Sequence, residues 1–312
     1  MLDVKRLKVL REVAAHGSFS AAAEALAYTQ SAVSQQIATL EREAGTVLVD
    51  RSARGVSLTD AGEALVRHAD AVLARLADAE AELEAITGLR GGRVRMVAFP
   101  TAGATLAPRA IAAFRERHPA VEVTLVPGEP DEGVAALKAG EADIALLLES
   151  GFESKRDPAI EVTPLMLDPM YVLLPSGHPL TTRRRMRLEE LRDESWIMGP
   201  ASSTCPDTTI LLRACQSAGF EPRIAFTSDD YLAIQGFVAA GMGVGLIPDL
   251  ALLALRDDVV VRSLRTRPPV RHVVAGTLAG GYCSPAKQAM LEILQEVGRE
   301  FEDKRETLAL AV

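Results

Sequence analysis

Between Gln30 and Leu40 two kinds of side chain alternate at helical spacing. Gln30, Ser31, Ser34, Gln35 and Thr39 fall on one stripe; Val33, Ile37 and Leu40, four and three residues apart, fall on the opposite one. Short amides and hydroxyls in such a row suit nucleic acid. A Gln amide pairs bidentately with adenine, a Ser hydroxyl donates or accepts, and phosphates accept from hydroxyl and backbone N–H groups. No reactive chemistry competes with this reading. Three cysteines, Cys205, Cys215 and Cys283, are too few for a disulfide scaffold and lack the paired spacing of a zinc site. The five histidines, His16, His68, His118, His178 and His272, stand far apart with no carboxylate cluster beside them, so no metal is expected. With no nucleophile elbow, paired-acid motif or defensible Ser-His-Asp set, the chain is not expected to be an enzyme.

The polar stripe needs a scaffold, and the flanking sequence supplies one. Ser18 and Ser20 stand at an N-cap position, and Ala21, Ala22, Ala23 and Ala25 let a short helix approach its neighbour closely before Leu26 ends it. Tyr28-Thr29-Gln30-Ser31 reads as a polar turn, with Thr29 or Ser31 as cap of the second helix. Residues 1–17 read as a preceding helix whose Leu2, Leu7, Leu10 and Val13, with Phe19, close a three-helix core. After Ala44-Gly45, TVLVDRSARGVSLTDAG reads as two β-prone runs in a hairpin, which puts Arg51 and Arg54 where they can enter a minor groove or clasp phosphates. Charge does not supply bulk affinity: the chain carries a net −8, and residues 1–60 hold seven Lys or Arg against seven Asp or Glu. Binding must come from a local patch and from dimeric symmetry.

From Asp60 to about Thr87 there is no Pro and a single Gly, which predicts one long helix. Leu65, Val72, Ala79 and Ile86 repeat every seven residues, with Ala69, Leu76 and Leu83 in the companion seam. The seam predicts pairing with a second copy through Leu65, Val72, Leu76, Leu83 and Ile86; packing against its own head is the competing possibility. Gly88-Leu89-Arg90-Gly91-Gly92 then breaks the helix. Beyond it, strand-like and helix-like segments alternate in two sets, which predicts doubly wound sheets in two lobes. The expected crossings between lobes are Leu165–Pro169 and Arg265–Pro269.

Residues Leu7 to Gly62, with F-S-A-A-A-E-A-L, Q-S-A-V-S-Q-Q-I-A-T-L-E, L-V-D-R and L-T-D-A-G, resemble the winged helix-turn-helix of the LysR-type transcriptional regulators. The departures are Val49, where the family has an aromatic residue, and Asp50 before the arginine. A-F-P-T-A-G-A-T-L-A-P, F-R-E-R-H-P-A-V-E-V, G-E-A-D-I-A-L, G-H-P-L and G-M-G-V-G-L-I-P resemble the effector-binding domain of the same regulators, itself similar to periplasmic solute-binding proteins. The resemblance implies a multi-domain chain. An all-α winged helix-turn-helix domain (1–60) and a linker helix (61–88) lead through a hinge (89–92) to a two-lobed α/β effector domain (93–306). Lobe I takes about 93–166 and 269–306, lobe II about 167–268. It also implies that Gln30, Ser31, Ser34, Gln35 and Arg51 contact DNA; Ser18, Thr29, Thr39 and Arg54 complete the expected interface.

Ligands on open α/β sheets lie beyond the carboxyl ends of strands, where helices begin. Thr101, Ala102 and Gly103 follow the first strand, and Ser202, Ser203 and Thr204 precede a helix of the second lobe. Hydroxyls and helix N-termini there suit a carboxylate. The resemblance adds Gly128, Thr227, Asp229 and Pro248. Asp229 and Asp230 argue for an amine or hydroxyl on the ligand, so an amino acid or hydroxylated metabolite reconciles both features. Gly241-Met242-Gly243-Val244-Gly245 lacks the last glycine of a dinucleotide fingerprint and leads into a strand. The expected partners are promoter DNA, a small-molecule effector with no other cofactor, a second copy in a homodimer or tetramer, and RNA polymerase for an activator. The expected place is the cytoplasm, since no leader or membrane-spanning run is visible. Two alternatives stand beside this reading. One is thiol redox sensing through Cys205 and Cys215, although ten helical residues span about 15 Å and a disulfide needs about 7 Å; the other is a solute-binding protein.

Overall fold

A computed structural model describes residues 2–52, 55–86, 92–149, 157–200, 206–265 and 268–311. The chain divides into two compact units, one built on Met1–Leu89 and the other on Arg90–Val134, Ala142–Ala279 and Pro285–Val312.

The first unit holds α1 (Val4–His16), α2 (Phe19–Ala25), α3 (Gln30–Ala44), the antiparallel hairpin β1 (Val49–Ser52) and β2 (Gly55–Leu58), and α4 (Asp60–Ile86). Local chemistry fixes each start. The Asp3 carboxylate accepts from the N–H groups of Lys5 and Arg6, the Ser18 hydroxyl from Ala21 and the Thr29 hydroxyl from Ala32. Gly17 and Gly45 end α1 and α3 in the left-handed region, at φ 59° and 71°. Because Thr29 is the cap, Gln30 and Ser31 form the first turn of α3; the polar turn expected over Tyr28–Ser31 is shorter than the sequence suggested.

Val33, Ile37 and Leu40 are fully buried against Leu7, Val9, Leu10, Val13, Phe19, Ala22 and Ala23. Leu2, expected in this core, precedes the Asp3 cap and is 38% exposed. The hairpin is tied to α3 by Glu41, whose Oε1 accepts from the N–H groups of Leu48 and Val49. The start of α4 also belongs to this core: Ala69 is buried in it, and Ala61, Leu65 and Val66 pack on it. Leu65 therefore packs on its own head, where it is half-buried. Further along, Val72, Leu76 and Leu83 are exposed, and the side chain of Ile86 lies outside the described residues. Of the expected hinge, residues 89–91 lie outside them too.

In the second unit, β3 (Arg93–Ala98), α5 (Pro100–Ala104), α6 (Leu106–Arg117), β4 (Glu122–Pro127), α7 (Pro130–Lys138) and β5 (Ile144–Glu149) form the first βαβαβ set. There follow β6 (Ile160–Pro175), β7 (Arg185–Met186), β8 (Ser195–Met198), α8 (Pro206–Ser217), β9 (Arg223–Thr227), α9 (Tyr231–Ala239) and β10 (Val244–Pro248). The chain closes with β11 (Val259–Leu264), β12 (Val270–Leu278) and α10 (Pro285–Ala311). The strands run in the order β4-β3-β5-β12-β6-β10-β8-β9, with β11 joining β6 to β7. Within the lobes, β3 is parallel to β4 and β5, and β8 is parallel to β9 and β10.

The crossing expected at Leu165–Pro169 lies inside the 16-residue strand β6, which passes from one lobe to the other without a break. Ile160–Pro169 of that strand pairs with β12, and Met170–Pro175 pairs with β10 and β11, so the two lobes share a backbone. Each lobe has its own core, one around Phe99, Phe114, Ile144 and Leu294, the other around Trp196, Met186, Ile210 and Leu246. At Gly298, α10 comes so close to β6 that a Cβ would collide with the Leu165 carbonyl. Gly243 likewise leaves no room for a Cβ beside the Ser195 carbonyl, a close approach that explains the glycines before β10 without any nucleotide.

Candidate nucleic-acid interface and ligand cleft

On α3, full burial of Val33, Ile37 and Leu40 turns the polar stripe outward. Thr29, Gln30, Ser31 and Gln35 are exposed, and Ser34 and Thr39 half-buried. They are not equally free. Ser18 is spent on the α2 cap, Thr29 caps α3 and meets the Ser31 hydroxyl at 3.0 Å, and Thr39 accepts from Arg42 at 2.8 Å. Among the described residues Gln30, Ser34 and Gln35 have no such commitment. These three, at the positive N-terminal half of a 15-residue helix, can donate to and accept from a base edge or phosphate. Arg51 lies on β1, with its side chain outside the described residues, as is all of Arg54. Tyr28, just before the cap, is half exposed at the entry to α3.

The lobes of the second unit enclose a cleft of about 790 Å³. Thr101 and Glu129 line it from lobe I, and Asp207, Thr208, Asp229, Asp230 and Tyr231 from lobe II, with Arg271 also on its wall. Of the residues expected at a ligand, Thr101 and Asp229 are on the wall. Ala102, Gly103, Gly128, Thr227 and Pro248 are not. The reasons are local: Pro100–Ala104 coils into α5, which buries Ala102 and carries Gly103 with it. Gly128 packs against Val97 and Glu132, Thr227 lies exposed at the end of edge strand β9, and Pro248 is buried at the end of β10. Ser202, Ser203 and Thr204 lie outside the described residues.

An ion network that sequence reasoning missed organises the cleft. The Arg271 side chain, 1% exposed, donates from Nε to Asp168 Oδ2 at 3.0 Å and from Nη1 to Asp207 Oδ2 at 3.0 Å. Its Nη2 donates to Asp168 as well and to Thr101 Oγ1 at 3.1 Å. Asp168 in turn accepts from the Leu250 N–H at 3.1 Å, and the Tyr231 hydroxyl donates to Asp207. Burial works against the Arg271 charge, but Asp207 and Asp168 more than offset it and hold the guanidinium protonated above its ordinary range. Burial, with the charges of Asp207, Glu132 and Asp229, pushes the Glu129 carboxyl above the usual carboxylate range. Among the described residues, four carboxylates, Glu129, Asp207, Asp229 and Asp230, line the cleft with one cation, Arg271, which is paired with both Asp168 and Asp207. Among the described residues the Thr208 hydroxyl and Asp207 Oδ1 are buried without a hydrogen-bond partner.

Among the described residues nothing favours thiol sensing. Cys215 is fully buried in α8, where burial pushes its thiol up to about 12, and Cys205 lies outside the described residues. Among the described residues no cluster of His, Cys, Asp or Glu is arranged to hold a metal, and no helix is long and apolar enough to cross a membrane.

A winged helix-turn-helix on the same chain as a two-lobed α/β cleft is the build of a ligand-responsive DNA-binding regulator. The sequence profile of the bacterial regulatory helix-turn-helix protein, lysR family, matches residues 4–63, and that of the LysR substrate binding domain matches residues 87–299. The "Probable HTH-type transcriptional regulator LrrA" of Synechococcus elongatus is 31% identical over 96% of this chain and 98% of its own. A full-length OxyR variant from Pseudomonas aeruginosa superposes with a TM-score of 0.70 at 24% identity, covering 96% of this chain and 95% of that one. Full-length CbnR in complex with its target DNA superposes at 0.64 and 22% identity, over 95% and 100% of the two chains. The chain belongs to the LysR family, as a DNA-binding transcriptional regulator with an effector-binding domain.

Proposed function

We propose that two copies pair along the exposed part of α4 and present two α3 helices to the half-sites of an inverted promoter repeat, while a small molecule in the cleft changes how the heads are presented. The observation that carries the reading is the α3 face, where Gln30, Ser34 and Gln35 stand free on a helix fixed by buried Val33, Ile37 and Leu40. A dimer or tetramer is the working form, in the cytoplasm, with no cofactor beyond the effector and with RNA polymerase as partner where it activates. Catalysis has no part in this role.

Pairing is testable at Leu76, 42% exposed in the middle of the seam. Burying one such side chain is worth about 1.5–3 kcal/mol per copy. Leu76→Asp is expected to shift micromolar protein from dimer to monomer in light scattering and to abolish binding to DNA upstream of its own gene. An unchanged dimer that still binds would contradict the pairing.

The cleft favours an amino-acid-like effector whose amine meets Glu129, Asp207 and Asp229. Since the Glu129 pKa is raised, this carboxyl is neutral at low pH and becomes a countercharge as pH rises through its elevated value. Binding of an amine should therefore strengthen with rising pH. With lysine or arginine as probe, calorimetry at pH 5 and pH 8 should show tighter binding at pH 8, and Glu129→Gln should flatten the dependence. Succinate binding more tightly than either amine would overturn the amine-bearing class.

A further inference from the structure

The effector domain has a second concavity, of about 1480 Å³, across the 3-10 turn Asp249–Ala254 from the cleft. Arg184, Arg185 and Arg187 reach it from around β7, Arg262 and Arg265 from β11 and its end. Lys304 and Arg305 come from α10 and Arg109 from α6, so four segments far apart in sequence converge eight cations on one groove. Among the described residues the only carboxylate lining it is Asp249, which shares a hydrogen bond with Tyr171; burial and Asp168 disfavour its charge, and Arg305 of the groove favours it.

Solvated arginines on an acidic chain ordinarily find carboxylates. Elsewhere here they do: Arg6 pairs with Glu43, Arg117 with Glu296 and Arg256 with Asp258, and Arg183, at the edge of the same run, with Glu190. None of the eight groove cations has an ion pair among the described residues. Two of them lean on backbone carbonyls, Arg262 on Thr181 at 3.0 Å and Arg305 on Leu167 at 2.7 Å, and Arg109 lies 4.3 Å from the centre of the Phe301 ring. In a protein with a net −8 this concentrates positive potential in one hollow, where field lines focus on an anion. The groove also has apolar surface: Leu253 is 62% exposed, beside Leu252 and Val261.

We propose that this groove binds an organic polyphosphate of nucleotide size, its phosphates held by the arginine forks and its ring or base laid on the Leu253 side. Guanidinium groups match phosphate oxygens two at a time, and only a ligand with several negative charges answers eight cations. Leu253 lines both the groove and the cleft, so an occupant of one presses on the wall of the other.

The test is calorimetric titration of the full chain at about 0.15 M salt, where surface charges are screened beyond about 8 Å. The probes are ATP, inorganic triphosphate, AMP and a duplex of unrelated sequence. ATP should bind most tightly, with triphosphate and AMP each at least several-fold weaker. Arg184→Ala with Arg265→Ala, both exposed positions, should weaken ATP at least tenfold, and lysine at both should restore most of the affinity. ATP binding that is absent, or unaffected by the alanine pair, would overturn the proposal. So would an unrelated duplex that displaces ATP and whose own affinity falls with the same pair, since the groove would then be a DNA track.

Discussion

Gln35→Ala is expected to weaken binding to the specific operator by about ten- to a hundredfold per half-site, while binding to unrelated duplex changes little. Gln35 is exposed on α3 with its amide uncommitted, and the turn that carries it is held by Val33 and Ile37, both fully buried. An amide so fixed can make a bidentate pair with a base, worth about 1–3 kcal/mol of discrimination. Phosphate contacts, which give sequence-independent affinity, do not depend on it. Thr39→Ala is the informative comparison: its hydroxyl already accepts from Arg42 at 2.8 Å, so its loss should cost less than Gln35. Anisotropy titrations of both variants on operator and on unrelated duplex check the order. Equal losses on both duplexes would make Gln35 a phosphate contact, not a base reader.

The largest effect on stability is expected at Arg271. Its replacement by Met leaves Asp168, with no exposed surface, and Asp207 without their cation. Breaking a buried pair in this way costs about 3–5 kcal/mol. Urea unfolding should show the loss in the transition of the second unit and leave the first unit unchanged. The pH dependence has a definite sign. Without Arg271, burial raises the Asp168 pKa further; a carboxyl with a raised folded-state pKa favours the fold below its unfolded value and loses that contribution as pH rises through the folded one. The variant should therefore be least deficient in acid. Arg271→Met with Asp168→Leu removes the stranded charge and should recover much of the stability, though Asp207 stays unpaired. Wild-type stability in the single variant would mean the network contributes only orientation to the cleft.

What was legible in the sequence was local and periodic. The α3 stripe, the Ser18 and Thr29 caps and the hairpin need only spacing and short-range hydrogen bonds, and so do most strands of the second unit. The α4 seam was half legible, because one heptad pattern describes packing on the chain's own head and packing on a second copy alike. Leu65 and Ala69 took the first course. The crossing at Leu165–Pro169 was legible, but not that a single 16-residue strand, β6, carries it from its pairing with β12 to its pairing with β10. Arg271 was hidden because its partner Asp168 lies 103 residues away. A charged residue inside an otherwise apolar strand was the trace it left, at the start of the R-H-V-V-A-G run.

If paired α3 helices read DNA under control of the cleft, footprinting of the DNA upstream of the chain's own gene with full-length protein should show it. Two protected half-sites of an inverted repeat are expected, their centres about 10 base pairs or a multiple apart, with Gln35→Ala losing both and a cleft ligand shifting the protected edge. Uniform protection that unrelated competitor DNA removes, with no half-site pattern and no response to Gln35→Ala, would contradict it.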